Sequence, residues 1–183
     1  MPTQQERRAD TRARLLAATL DCLVGHGYAG TTTQRVQDRA GLSRGALLHH
    51  FATKDDLLVA AVSEVADRQV ARLRAQAGAG TDPVELLRGV MSGPLFLAGL
   101  ELWQAARTEP VLRAALLPAE RRVGAAVRDV LTDLFPAAHA GRADVEGLLA
   151  LHRGLALTSV LRSDPELERQ VVRLWVDRVM GGR

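Results

Sequence analysis

Between residues 32 and 54 the chain gathers Thr32, Thr33, Arg44, Gly45, Ala46, His49, His50 and Lys54. Each residue type brings a definite chemistry. An arginine fork donates two parallel hydrogen bonds to a guanine edge, while glycine and alanine beside it let a backbone approach closely or meet a thymine methyl. Threonine hydroxyls, imidazoles and a lysine ammonium donate to phosphate oxygens. Presented together on one face, the set suits the grooved polyanion of duplex DNA. Two adjacent histidines raise zinc as an alternative, but on a helix their rings point about 100° apart. No Cys or acidic residue sits nearby at metal spacing, so neither a metal nor a cofactor is expected. The chain also lacks a Gly-rich phosphate loop and a nucleophile with an adjacent base, which counts against catalysis.

The elements that must position these groups are written in "AGLSRGALLHHFATKDDLL", residues 40 to 58. Gly41 closes one helix and Ser43 caps the next, giving helix, tight turn and helix within about twenty residues. The helix over 44–50 is too short to stand alone. Val36, Ala40, Leu42 and Leu47 are spaced to bury it against Leu20, Leu23 and Tyr28, which turns the polar set outward. Upstream, Leu16, Leu20 and Leu23 or Val24 line a first helix ended by the glycines of "GHGYAG". Thr31 and Gln34 form a capping box for a second helix reaching about Ala40. Thr53 and Asp56 repeat that logic for a long fourth helix to about Ala77, whose amino end offers N–H groups to another phosphate.

Charge agrees with this placement. Residues 1–54 hold eight Lys and Arg against four Asp and Glu, a charge of +4, which leaves −1 for residues 55–183. The excess marks where an anionic partner would be met, although a solvated basic arm has the same composition. Nearly all cations are arginine, and Lys54 is the sole lysine. Uncharged runs break before the roughly 18–20 residues of a membrane span. The start "MPTQQERRADTRARLL" has no apolar core of a secretory signal, so a soluble, cytoplasmic protein is expected. Cys22, the single cysteine, falls in an apolar helical pattern and reads as core.

The stretch "TRARLLAATLDCLVGHGYAGTTTQRVQDRAGLSRGALLHHFATKDDLL", residues 11–58, resembles the amino-terminal domain of the TetR family of bacterial transcriptional regulators. "AGLSRGAL", the aromatic of "HHF" and the lysine of "TKDDL" carry the likeness. Leu48 departs from it, standing where the family usually has a tyrosine that touches phosphate. Thr33 and Gln37 occupy positions that are often small or apolar. The resemblance implies a helix-turn-helix DNA-binding domain over 1–54 and a helical ligand-sensing and dimerisation domain over 55–183. It further implies a homodimeric repressor released from a palindromic operator by a small molecule. A helical protein-interaction adaptor and a small helical enzyme are the alternatives.

Beyond residue 58 nearly every segment repeats apolar residues at three and four, without strict alternation, so the fold is expected to be all-α with about nine helices. "GAGTDP", Pro110, Pro118, "FPAAHAGR" and "SDP" mark the boundaries. In "PLFLAGLELWQAART" the residues Phe96, Leu100, Trp103 and Arg107 make one stripe, with Glu101 and Gln104 beside it. This reads either as ordinary core or as a ligand pocket, to which His152 and Arg122 add polar contacts. The last two helices, about 142–161 and 165–180, carry Leu148, Leu151, Leu155, Leu167, Val171, Leu174, Trp175 and Val179. They read as a dimer surface or as cover for the domain's own core, with Gly154 permitting close approach.

Overall fold

The computed structural model describes residues 3–78, 82–134, 141–159 and 161–180. Among them are nine helices and no strand: α1 (Gln4–Gly30), α2 (Thr33–Ala40), α3 (Arg44–His50), α4 (Lys54–Gln76), α5 (Pro83–Val90), α6 (Gly93–Ala105), α7 (Pro110–Leu134), α8 (Arg142–Ser159) and α9 (Pro165–Met180). They form two compact units. The first joins residues 1–66 to 97–119, and the second joins 67–96 to 120–183. Helices α4, α6 and α7 thus each supply residues to both units.

The first unit is built on α1. Thr3 caps it, accepting from Glu6 N while the Glu6 carboxylate accepts from Thr3 N. Leu15, Leu16, Ala18, Leu20, Cys22 and Leu23 turn inward, whereas Val24 is exposed. At Gly27 the backbone leaves the helix with φ 66° and ψ −179°, a conformation that only glycine adopts without strain. The chain therefore breaks there, and Thr31 is drawn in: its Oγ1 donates to Gly27 O at 2.8 Å. That contact corrects the expected capping box. The cap of α2 is Thr32, which accepts from Arg35 N at 3.2 Å, and Gln34 bonds to Asp38 instead.

The other local signals act as their chemistry requires. Gly41 takes the left-handed conformation, φ 62° and ψ 39°, at the end of α2. Ser43 caps α3 by accepting from Ala46 N. Thr53 accepts from Asp56 N while the Asp56 carboxylate accepts from Thr53 N at 3.0 Å, opening α4. Arg14 donates to Ala40 O at 2.8 Å and Arg39 pairs with Asp21, so the end of α2 is tied to α1 by polar as well as apolar contacts.

In the second unit α5 and α8 both pack on α9. Asp82 caps α5, with Pro83 in the first turn where its missing N–H costs nothing. Asp82 also pairs with Arg173 of α9. Gly147 of α8 lies under the Trp175 ring, where an added Cβ would meet Cζ2 at 3.0 Å. Pro118 does not separate two helices, because α7 runs through it. The carbonyl it leaves without an intrahelical donor belongs to Ala114, which is exposed and open to water. Pro110 and Pro165 do open helices, the latter with Asp164 accepting from Leu167 N. Residues 79–81 of "GAGTDP" and 135–140 of "FPAAHAGR" lie outside the described residues.

Candidate nucleic-acid interface

Helix α3 has seven residues and one buried side chain, Leu47, at 1% exposure. Its position is fixed from below: Val36, Ala40, Leu47 and Phe51 are buried, and α1, α2 and α3 pack on one another. Burying Leu47 forces its neighbours outward. Arg44, Gly45 and His49 are exposed, and Ala46 and His50 are half-buried. The guanidinium of Arg44 meets no hydrogen-bond acceptor among the described residues, so its fork remains available to a partner. Thr32 is exposed, although its hydroxyl already accepts from Arg35 N, and Thr33 is half-buried in the first turn of α2.

The electrostatics of this edge come from more residues than the sequence singles out. His50 sits edge-on to His49, with ring centroids 5.4 Å apart. Partial burial holds the His50 imidazole below its usual range, and His49, Arg8 and Arg12 push it the same way. Arg8 and Arg12 thus stand close enough to α3 to be felt there, and Arg12 also lies 5.5 Å from the centroid of the Phe51 ring. Their four-residue spacing puts them on one side of α1. They lie upstream of the apolar stripe that marks α1 in the sequence, on a helix that begins at Gln4. Lys54 is anchored, its Nζ 4.8 Å from the centroid of the Tyr28 ring, at the first residue of α4. Leu48 is 48% exposed and offers no donor where the resembling family has a phenol.

The space around Gly45 gives a direct test of close approach. A Cβ built there meets only Ser43 Oγ, at 3.9 Å, and the residue has no positive φ. Gly45→Ala is therefore expected to leave thermal stability unchanged or slightly raised. Its affinity for duplex DNA is expected to fall, because the new methyl occupies the surface that a groove must meet. Melting curves and gel shifts on the same preparation check both halves.

The residues expected around a ligand are not brought together as one stripe. Helix α6 buries Phe96, Ala98, Leu100, Leu102 and Ala105, while Trp103 and Gln104 are exposed. Arg107 is exposed in the turn after α6, so a four-residue spacing no longer places it on the helix face. Glu101 is engaged elsewhere, accepting from Tyr28 N at 2.9 Å. Arg122 pairs with Asp67 at 3.3 Å on the surface of the second unit.

His152 lies on α8, at 5% exposure. Its Nδ1–H donates to Leu148 O at 2.9 Å, which leaves Nε2 an acceptor, buried and with no hydrogen-bond partner among the described residues. Beside it Arg153 pairs with Glu120, whose carboxyl burial pushes up despite that cation. Burial likewise holds the His152 imidazole below its usual 6.5. The unfolded chain then binds the proton more readily than the folded one. Stability should be flat above about pH 6.5 and fall as pH drops below it. His152→Leu is expected to reduce that slope in melts between pH 7.5 and about 5, compared at matched ionic strength, leaving the part that His50 contributes with the same sign.

Leu148 is fully buried within the chain, so it serves the subunit's core and not a partner surface. Leu151, Leu155, Val171 and Trp175 are half-buried, and Leu157, Leu161, Leu167 and Leu174 are exposed, Leu161 at 91%. Gly154 is exposed as well, and a Cβ added there would touch nothing. The side chain of Val179 lies outside the described residues.

Comparison with known proteins places this geometry. The family model of bacterial regulatory proteins of the tetR family matches residues 15–61, the span from the buried face of α1 into α4. An HTH-type transcriptional regulator of Mycobacterium tuberculosis is 33% identical over 92% of both chains. The transcriptional repressor AcnR of Corynebacterium glutamicum is 32% identical over 67% of this chain and 65% of its own. The solved structure of the multidrug binding protein EbrR, complexed with imidazole, superposes with a TM-score of 0.65 at 26% identity, covering 96% of this chain and 97% of that one. A short helix raised on a buried platform and a likeness along nearly the whole chain lead to one conclusion: this protein belongs to the TetR family and is a DNA-binding transcriptional regulator.

Proposed function

We propose that the protein is a homodimeric repressor that reads a palindromic operator through α3 and is released from it by a small molecule. The observation that carries the DNA half is the division of α3 into a buried Leu47 and an outward Arg44, Gly45 and His49. In this reading Arg44 donates to a base edge and Gly45 and Ala46 allow its approach. Thr32, Thr33, His49, His50 and Lys54 hold the phosphates, and Arg8 and Arg12 add to the field. The reading head is then residues 1–54 and the regulatory part 55–183, a functional division distinct from the two compact units.

Dimerisation follows from the need to read enough base pairs. A seven-residue helix reaches few of them, and two-fold pairing doubles the reading. The apolar side chains left half-buried (Leu151, Leu155, Trp175) or exposed (Leu157, Leu174) on α8 and α9 support pairing there. For the ligand, support comes from His152, whose Nε2 is a buried acceptor with no donor among the described residues, and from the similar multidrug binding protein EbrR, complexed with imidazole. Repression is the direction of AcnR. No described helix is long and apolar enough to cross a membrane.

Selection of bound duplexes from a random pool by the full chain tests the whole reading. Two copies of one half-site, inverted and about a helical turn apart, are expected. Enrichment of a single asymmetric site, or none at about 50 mM salt, would overturn it.

A further inference from the structure

Lys54 reaches the proposed phosphate contact from a stage that other residues build. Its Nζ lies 4.8 Å from the centroid of the Tyr28 ring, a cation–π distance. Tyr28 in turn is held at two backbone points. Its backbone N donates to Glu101 Oε2 at 2.9 Å, across from α6. Its carbonyl accepts from Thr31 N at 3.2 Å. Its hydroxyl lies beside the Glu109 carboxylate in the turn before α7, which adds to the effect of burial in pushing the phenol up. The break at Gly27 eases this approach: an added Cβ there would stand 3.0 Å from Glu101 Oε2, a tight contact that would press on the carboxylate. All these residues belong to the first compact unit.

We propose that Tyr28, held by Glu101 of α6, is a positioning residue for Lys54 and thereby sets the strength of the DNA contact. A lysine side chain that must be ordered on binding loses rotamer freedom. One already resting on an aromatic face loses less. The inference rests on the reading of Lys54 as a phosphate contact. It adds that α6, outside the reading head, contributes to affinity through one carboxylate.

A double-mutant cycle on the full chain tests it, with a fluorescent random-sequence duplex at about 50 mM salt as the probe. Glu101→Ala and Tyr28→Leu are each expected to weaken binding about two- to tenfold. Glu101→Gln, which keeps an acceptor, and Tyr28→Phe, which keeps the ring, are expected to stay within about twofold of the parent. In a Lys54→Ala background, Glu101→Ala is expected to add nothing. Additive losses in that background would overturn the proposal, as would equal losses for Glu101→Gln and Glu101→Ala. If Glu101→Ala fails to fold, Tyr28→Leu against Tyr28→Phe carries the same comparison. A Lys54→Ala variant that binds as well as the parent would sink the phosphate assignment itself, a failure distinct from that of the coupling.

Discussion

Arg44→Ala is expected to abolish discrimination between the selected operator and a scrambled duplex while leaving the fold intact. The side chain is exposed on a helix whose stability comes from Leu47, so truncation should move the melting midpoint within the ordinary range of surface changes. A bidentate arginine–guanine pair is worth about 1–3 kcal/mol, and a two-fold assembly loses two of them. The combined loss is on the order of 10²-fold or more at the operator. On scrambled DNA only one charge per protomer is lost. Arg44→Lys separates the fork from the charge, since lysine keeps the cation and cannot make the paired bonds. It should bind scrambled DNA like the parent and the operator like Arg44→Ala. Titrations of both duplexes with the three proteins check this, and equal losses on the two duplexes would move Arg44 from the bases to the phosphates.

Leu47→Ala should have the largest effect on the reading head. α3 gains its geometry from this one buried leucine, and large-to-small changes at such positions cost about 2–5 kcal/mol. Against a total stability of about 5–15 kcal/mol, that is enough to release a seven-residue helix that does not hold itself. DNA binding should disappear at every sequence, with a lowered melting midpoint. Leu48→Ala, one residue on and half-exposed, should change stability by no more than about 0.5 kcal/mol. The pair thus reads out burial alone, because the two residues are chemically identical.

What the sequence makes legible here is what depends on near neighbours. Gly41, Ser43 and the Thr53–Asp56 pair are caps, and a cap needs only the three or four residues after it. Leu47 and Val36 are legible for a related reason, since helical spacing alone puts them on the buried side. Expectations fail where a distant partner intervenes. Thr31 was one residue from the true cap because Gly27 O, behind it, claims its hydroxyl. Glu101 has a partner that spacing within α6 does not show, a backbone N–H 73 residues away. Arg107 has the right spacing but follows the last residue of its helix, and Pro118 lies within α7 where the sequence marks a boundary. Leu148 shows the limit of periodicity, which gives an apolar face without saying which molecule covers it.

Lys54 is the only lysine in the sequence, and it rests on an aromatic ring at the edge proposed to meet DNA. Amine-directed reagents accordingly have one side-chain target, the rest being the α-amino group. A single acylation would erase the cation at that edge without touching any other part of the polypeptide. Chemical footprinting of that one ammonium, with and without duplex, turns the scarcity of lysine into an occupancy gauge for DNA.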